Sequence, residues 1–310
     1  MNNMIWLIRR EIWENRSLWI APLVVAGVIL IAAAFGGIHV GNGINIGWDS
    51  SGIDVSEQDR ENIRNGLSQA LEHKQIIYAI TLSSFTAVLL FTMVIVLFFY
   101  LLDSLLAERK DRSILFWKSL PVSDAEVVLS KLLTAAVVVP LFVLVVSSAL
   151  QILFALIWSI RFNGTFLGDA LMAWHGPTWL KLQGSFLVVI VTAILWYLPL
   201  LAYLMVVSVW ARRNAFLWAV LPPVAILTIE NMILGSNRFG EFLGHRFIGV
   251  FELLESKIGS VHGSGMITVR EVLEAVSGVL ASHETWLGVL AAAVMIFGAI
   301  RIRRFRDDNT

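Results

Sequence analysis

The chain has 310 residues, of which 57% are hydrophobic and 15% charged, with a mean hydropathy of +0.77, far from soluble domains, where about a quarter of residues are charged. Its 23 basic residues balance 23 acidic ones, which leaves no basic field for nucleic acid, and the absence of cysteine excludes a disulfide framework or thiolate metal site. Intrinsic disorder is excluded as well, since it requires low hydrophobicity, and a membrane protein remains.

In chain order, residues 1–17 read as an amphipathic helix. Ile5, Ile8, Ile12 and Trp13 recur at helical spacing, while Arg9, Arg10, Glu14 and Arg16 take the other side. Such a helix lies along a membrane surface with Trp6, Trp13 and Trp19 at headgroup level; a basic flank that only fixes orientation is the simpler alternative. Six charge-poor apolar runs follow, approximately Leu18–Ile38, Ile76–Leu102, Leu132–Ile160, Leu182–Ala211, Ala215–Leu234 and Thr285–Ile300. A hydrocarbon core about 30 Å thick needs roughly 20 helical residues, so each run reads as a span, the short last one anchored by Trp286 and Arg301. The first run is too long for a typical signal-peptide core and lacks a small-x-small cleavage site. A transmembrane barrel would need alternating segments of about 10 residues, which do not occur.

Between the first two runs, residues 39–75 are expected outside. Their glycine-rich start, Gly36 to Gly47, lacks the lysine ending of a phosphate loop and reads as a flexible linker, after which Ser56 can cap a polar helix. The loop from Asp103 to Lys131 is richer. It mixes five basic and five acidic residues around an apolar core, so it is not a polybasic lipid patch. Asp111 or Ser113 can cap a short helix carrying Ile114, Leu115, Phe116 and Trp117, which Pro121 ends. Ser123 and Glu126 then form a capping box that starts the helix into the third span. Exposed aromatics bounded by charge suggest a protein-docking knob, with anchoring in lipid as the alternative. Prolines 140 and 199 are expected to kink their spans, and Pro222-Pro223 to bend the fifth. Residues 235–284 are expected outside, with apolar helical spacing at Phe239, Leu243, Phe247, Val250, Leu254 and Ile258.

Orientation follows from the basic residues near the span ends. With the N-terminus cytoplasmic, the inner segments hold 14 basic and nine acidic residues, and the outer side nine basic and 14 acidic. Both termini are therefore expected in the cytoplasm.

The pattern Glu108-Arg109, Ser113-Ile114-Leu115, Ser119-Leu120-Pro121-Val122-Ser123 and Lys131 resembles the cytoplasmic loop of type-2 ABC transporter permeases. These are six-span exporter subunits with an interfacial helix before the first span, a coupling helix between the second and third, and partly re-entrant outer helices between the fifth and sixth. The resemblance implies one all-α transmembrane domain over residues 1–310, set in the plasma membrane and plausibly a bacterial inner membrane. It implies that Glu108 to Leu120, with Glu108, Arg109, Ser113, Ile114, Phe116, Trp117, Lys118 and Leu120 as contacts, rest in a cleft of a separate cytosolic ATPase. Two ATPase copies, a second permease copy or paralogue, and membrane lipid are the implied partners. ATP and Mg would be bound by the ATPase, and this chain would carry no cofactor.

The residues themselves agree with a non-catalytic chain. There is no GxxxxGK[ST], HExxH or GxSxG, no intramembrane aspartate pair and no HxH or HxxxH, so no catalytic or metal site is expected. All six histidines (His39, His73, His175, His245, His262 and His283) fall on the expected outer side. Glu230 is the one carboxylate inside an apolar run; with Asn231 it either lines a substrate path or reaches outer water from a position near the interface. Permease subunit of an ATP-driven exporter is the leading expectation. A membrane-anchored scaffold or sensor, and an ATP-independent carrier, are the alternatives.

Overall fold

The computed structural model describes residues 2–35, 38–40, 44–46, 74–110, 122–161, 176–258 and 269–306. Helix α1 (Asn2–Glu14) precedes α2 (Ser17–Phe35), and a short antiparallel ribbon of β1 (Ile38–Val40) and β2 (Ile44–Ile46) follows, with His39 opposite Asn45. The ribbon stands where the glycines suggested only a linker. Isoleucine and valine alternate on both sides of Gly41-Asn42-Gly43, a hairpin signature that glycine content obscured.

The remaining elements are α3 (Lys74–Ser104), α4 (Leu106–Lys110), α5 (Asp124–Leu133), a π turn (Thr134–Val138), α6 (Val139–Arg161), α7 (Gly176–Trp210) and α8 (Ala215–Ile229). After a second π turn (Glu230–Leu234) come α9 (Arg238–Ile258), α10 (Val269–Ala281) and α11 (His283–Arg306). Among the described residues, six helices are long and apolar enough to cross a membrane: Ser17–Phe35, Thr81–Lys110, Asp124–Ile160, Trp179–Trp210, Ala215–Leu234 and His283–Phe305. The chain is an α-helical multi-pass membrane protein.

Several helices overrun the apolar stretches that announce them. The second continues through Asp103 and, past a turn at Leu105, to Lys110; the third begins at Asp124, and the sixth runs on to Arg306. Charged residues ordinarily mark the end of a span, yet Glu108, Lys131 and Arg303 are buried in mutual ion pairs, which removes the reason to stop. Ser123 and Glu126 do form the expected capping box: the Ser123 hydroxyl accepts from the Glu126 N–H at 3.2 Å, and Glu126 Oε2 accepts from the Ser123 N–H at 2.8 Å.

Span 4 packs most extensively on span 6, span 2 on span 4, and span 1 on spans 2 and 3. Their common core joins Leu89, Leu97 and Leu101 of α3, Val128 of α5, Val143 and Leu150 of α6 and Met205 of α7. Where lipid tails are as apolar as leucine, close packing holds helices together, and Ala26 and Ala299 provide small contact points. Span 5 is peripheral, with 6% of its apolar window buried against 39% for span 3. Its helix continues through Pro222 and Pro223 to Ile229. Pro140 follows the first π turn directly. With no N–H of its own and a ring that crowds the preceding turn, it suits a widened ladder, in which the Val139 N–H reaches Thr134 O.

Candidate functional site

The residues of α1 that face the protein are not those expected. Ile5, Trp6 and Trp13 are exposed, whereas Leu7 and Glu11 are buried. Glu11 sits one turn beyond Leu7, between Ile8 and Ile12, so a carboxylate occupies the inward face of an apolar stripe. Its two oxygens are both used. Oε1 accepts from Lys131 Nζ at 2.7 Å and Oε2 from the Tyr100 hydroxyl at 2.9 Å.

Glu108 is the second centre. Its Oε1 accepts from Arg10 Nη2 at 2.9 Å and lies 3.1 Å from Lys131 Nζ, while Oε2 accepts from Arg303 Nη1 at 2.8 Å. Arg303 Nε donates in turn to Asp124 Oδ1 at 3.0 Å, and Arg10 also pairs with Glu14. Three cations (Arg10, Lys131, Arg303) thus meet three carboxylates (Glu11, Glu108, Asp124). The side chains of Glu11, Lys131, Arg303 and Glu108 are between 1% and 6% exposed. Burial works against the Arg10 charge, but its hydrogen bond to Glu14 and the fields of Glu11, Glu14 and Glu108 outweigh it and hold its pKa above the ordinary arginine value.

Arg109 adds a second tie from the same turn of helix. Its Nη2 donates to the carbonyls of Ser208 and Ala211, both at 2.7 Å, which occupies the exposed carbonyl end of α7 with a cation. The Ser208 hydroxyl accepts from the N–H groups of Leu105 and Leu106 at 3.1 and 3.2 Å, satisfying the donors freed at the turn between α3 and α4. Five elements therefore converge on α4: α1, α5, α7, α11 and the end of α3.

The structure places Glu108 and Arg109 inside the fold, at the root of the loop. Ser113, Ile114, Phe116, Trp117, Lys118 and Leu120 lie outside the described residues. Glu11, Lys131 and Arg303 form part of the cluster although the docking-site reading passed over them. A charge on the apolar face of α1, and a lysine two turns inside a capped helix, were the available signals.

Toward the opposite end, the polar cluster shared by spans 2, 3 and 4 is uncharged. Gln151 Nε2 donates to Leu82 O at 3.1 Å and Thr86 Oγ1 at 3.0 Å, while its Oε1 accepts from Trp179 Nε1 at 2.9 Å and Gln183 Nε2 at 2.6 Å. Thr86 and Ser147 hydroxyls lie 2.6 Å apart, and Ser148 donates to Gln183 Oε1 at 2.9 Å. The amide of Gln151 spends both its oxygen and its nitrogen on these protein groups, as a buried amide must.

Glu230 does not face open water. Its carboxylate is buried, accepts from Ser236 Oγ at 2.8 Å and from the N–H groups of Arg238 and Phe239 at 2.7 and 2.9 Å, and so caps α9 across the turn at Gly235. Gly235 has φ +57°, a conformation that side chains resist, which is why the reversal occurs there. Asn231 is exposed. On α9 the packed face runs through Leu243, Arg246 and Gly249, and Phe247 points outward, contrary to the spacing read from the apolar residues alone. Arg246 stacks on Trp196, 4.6 Å from its ring centroid, whose indole N–H donates to Arg246 O at 3.0 Å. A β-carbon at Gly288 would overlap Arg246 Nη2, so glycine there leaves room for the tip of that side chain. The described residues hold no group of three or more metal-ligating side chains. Comparisons with family models, curated proteins and solved structures find no match for this chain.

Proposed function

We propose that this chain is the permease subunit of an ATP-driven exporter, and that the cluster around Glu108 transmits movement of the 111–121 loop to the spans. The observation that carries this reading is the bonding of one carboxylate, Glu108, to cations from three separate elements: Arg10, Lys131 and Arg303. A force on the loop meets α4 on one side and α5 on the other, and both are tied to α1 and α11. A plain anchor has no need of that convergence, whereas a coupling lever does.

In this reading Glu108 and Arg109 position the loop, and Phe116 and Trp117 meet the partner ATPase. Two ATPase copies, a second copy or paralogue of the chain, and a cytoplasmic placement of both termini belong to the same proposal. The uncharged cluster of Gln151 supports it indirectly: its groups are spent on each other, which suits inter-span packing better than the midplane site of an ATP-independent carrier. Trp196 lies 14 residues, about 21 Å along α7, from Trp210, so α9 and α10 packed upon it would reach within the hydrocarbon depth and be partly re-entrant.

The test is copurification. Phe116→Ala with Trp117→Ala is expected to lose a Walker-motif ATPase that the wild-type chain retains, while membrane insertion persists. Undiminished ATPase association in the double variant would overturn the assignment, and a membrane scaffold or sensor would become the better reading.

A further inference from the structure

Between α1, the start of α2 and the π turn of span 3 lies a cavity of about 570 Å³. That is within the usual range of small-ligand pockets. Trp13, Arg16 and Trp19 line it around the start of α2, and Leu23, Val138 and Phe142 line it along spans 1 and 3. Arg16 is exposed, and its side chain has no ion-pair or hydrogen-bond partner among the described residues. Its neighbours on α1 differ: Arg10 is committed to Glu14 and Glu108, and Arg9 lies over the rings of Trp6 and Trp13.

We propose that this groove binds an anionic phospholipid, with the phosphate on Arg16 and one acyl chain along the apolar wall. Three observations select that occupant. First, the length fits a chain rather than a small ion: Leu23 lies about 10 Å along the helix from Arg16, and both line the groove. Second, polarity changes once and in the right order, from an unpaired guanidinium flanked by tryptophans to a wall without charge, as in a single leaflet. Third, bulky tryptophan and phenylalanine side chains line the groove, whereas close docking of a second helix favours small residues. The inference rests on the spans crossing a bilayer and not on coupling to an ATPase.

Bound there, the lipid would bridge α1, span 1 and span 3, and so hold α1 where Arg10 and Glu11 complete the ionic cluster. The experiment uses the purified full chain in detergent, with equimolar dioleoylphosphatidylglycerol and dioleoylphosphatidylcholine, and counts retained lipids by native mass spectrometry. The wild type is expected to prefer phosphatidylglycerol roughly tenfold, a scale appropriate to one charge-assisted contact. Arg16→Gln should bring that ratio close to one, Arg16→Lys should keep most of it, and Arg212→Gln, an exposed control, should leave it unchanged. Leu23→Trp, which fills the groove from an exposed position, should lower retention of both lipids. An unchanged preference in Arg16→Gln, or an equal loss in Arg212→Gln, would overturn the proposal. So would displacement of the lipid by glycerol phosphate at equal concentration, which would assign the site to a free anion. Loss of a dimer in Leu23→Trp with lipid retention intact would assign the groove to a second copy.

Discussion

The two ends of the spans solve the same problem with different chemistry. Each brings polar side chains from several helices into a dry interior. At the basic end these are full charges, three of each sign, joined through Glu108 and Glu11. At the opposite end they are amides, hydroxyls and an indole gathered on Gln151. Neutral groups can lose one bond and leave a modest deficit. A buried charge that loses its partner cannot, because its desolvation is no longer offset. The ionic cluster is therefore the all-or-none one, and the neutral cluster around Gln151 is the forgiving one.

The largest effect is expected from Glu108→Gln. It takes from Arg10, Lys131 and Arg303 the one carboxylate they share, and breaking a buried pair costs about 3–5 kcal/mol, which a melting curve in detergent would register. Adding Lys131→Met removes the most buried of the cations that lost Glu108 and should recover part of the loss, measured as a coupling energy in a double-mutant cycle. If the second change worsens the first, the cluster does not act as one unit. Gln151→Leu should come next. Inter-helix hydrogen bonds in membranes average about 0.6 kcal/mol and rarely exceed about 1.7, so the same melting assay should show a smaller shift than Glu108→Gln. A larger shift than in Glu108→Gln would invert the comparison drawn here. Glu230→Gln should be the mildest. It retains acceptors for Ser236 and the first turn of α9, so faster hydrogen exchange at Arg238 and Phe239 is expected, with ATP hydrolysis by a reconstituted complex unchanged. A drop in that hydrolysis would return Glu230 to the substrate path.

The spans were legible because hydrocarbon thickness imposes a length that composition reveals directly. Their ends were not. Glu108, Asp124 and Arg303 look like reasons for a helix to emerge into water, and only their mutual arrangement in space draws them into the fold. Ser123 and Glu126 were readable because a capping box is local, with both partners within four residues. Glu11 was missed for the opposite reason: its partners, Tyr100 and Lys131, are 89 and 120 residues away. Glu230 was noticed as anomalous but not understood, since its ligands lie beyond a glycine turn whose geometry the sequence only hints at. For the proposed coupling segment, Glu108 and Arg109 were named from the sequence, and the structure adds what they are fastened to.

The π turn at Thr134–Val138 sets the rotational phase of span 3. Lys131 and Ser147 are 16 positions apart, which at about 100° per residue would separate them by about 160° around an uninterrupted α-helix. One residue absorbed by the wider turn reduces that angle to about 60°. Lys131 can then face Glu11 at one end while Ser147 faces Thr86 at the other, both within the bundle. The turn works as a frameshift in three dimensions: rewinding it as regular α-helix at constant length would swing one polar cluster or the other toward lipid, whereas deleting a single residue from it would leave both in place.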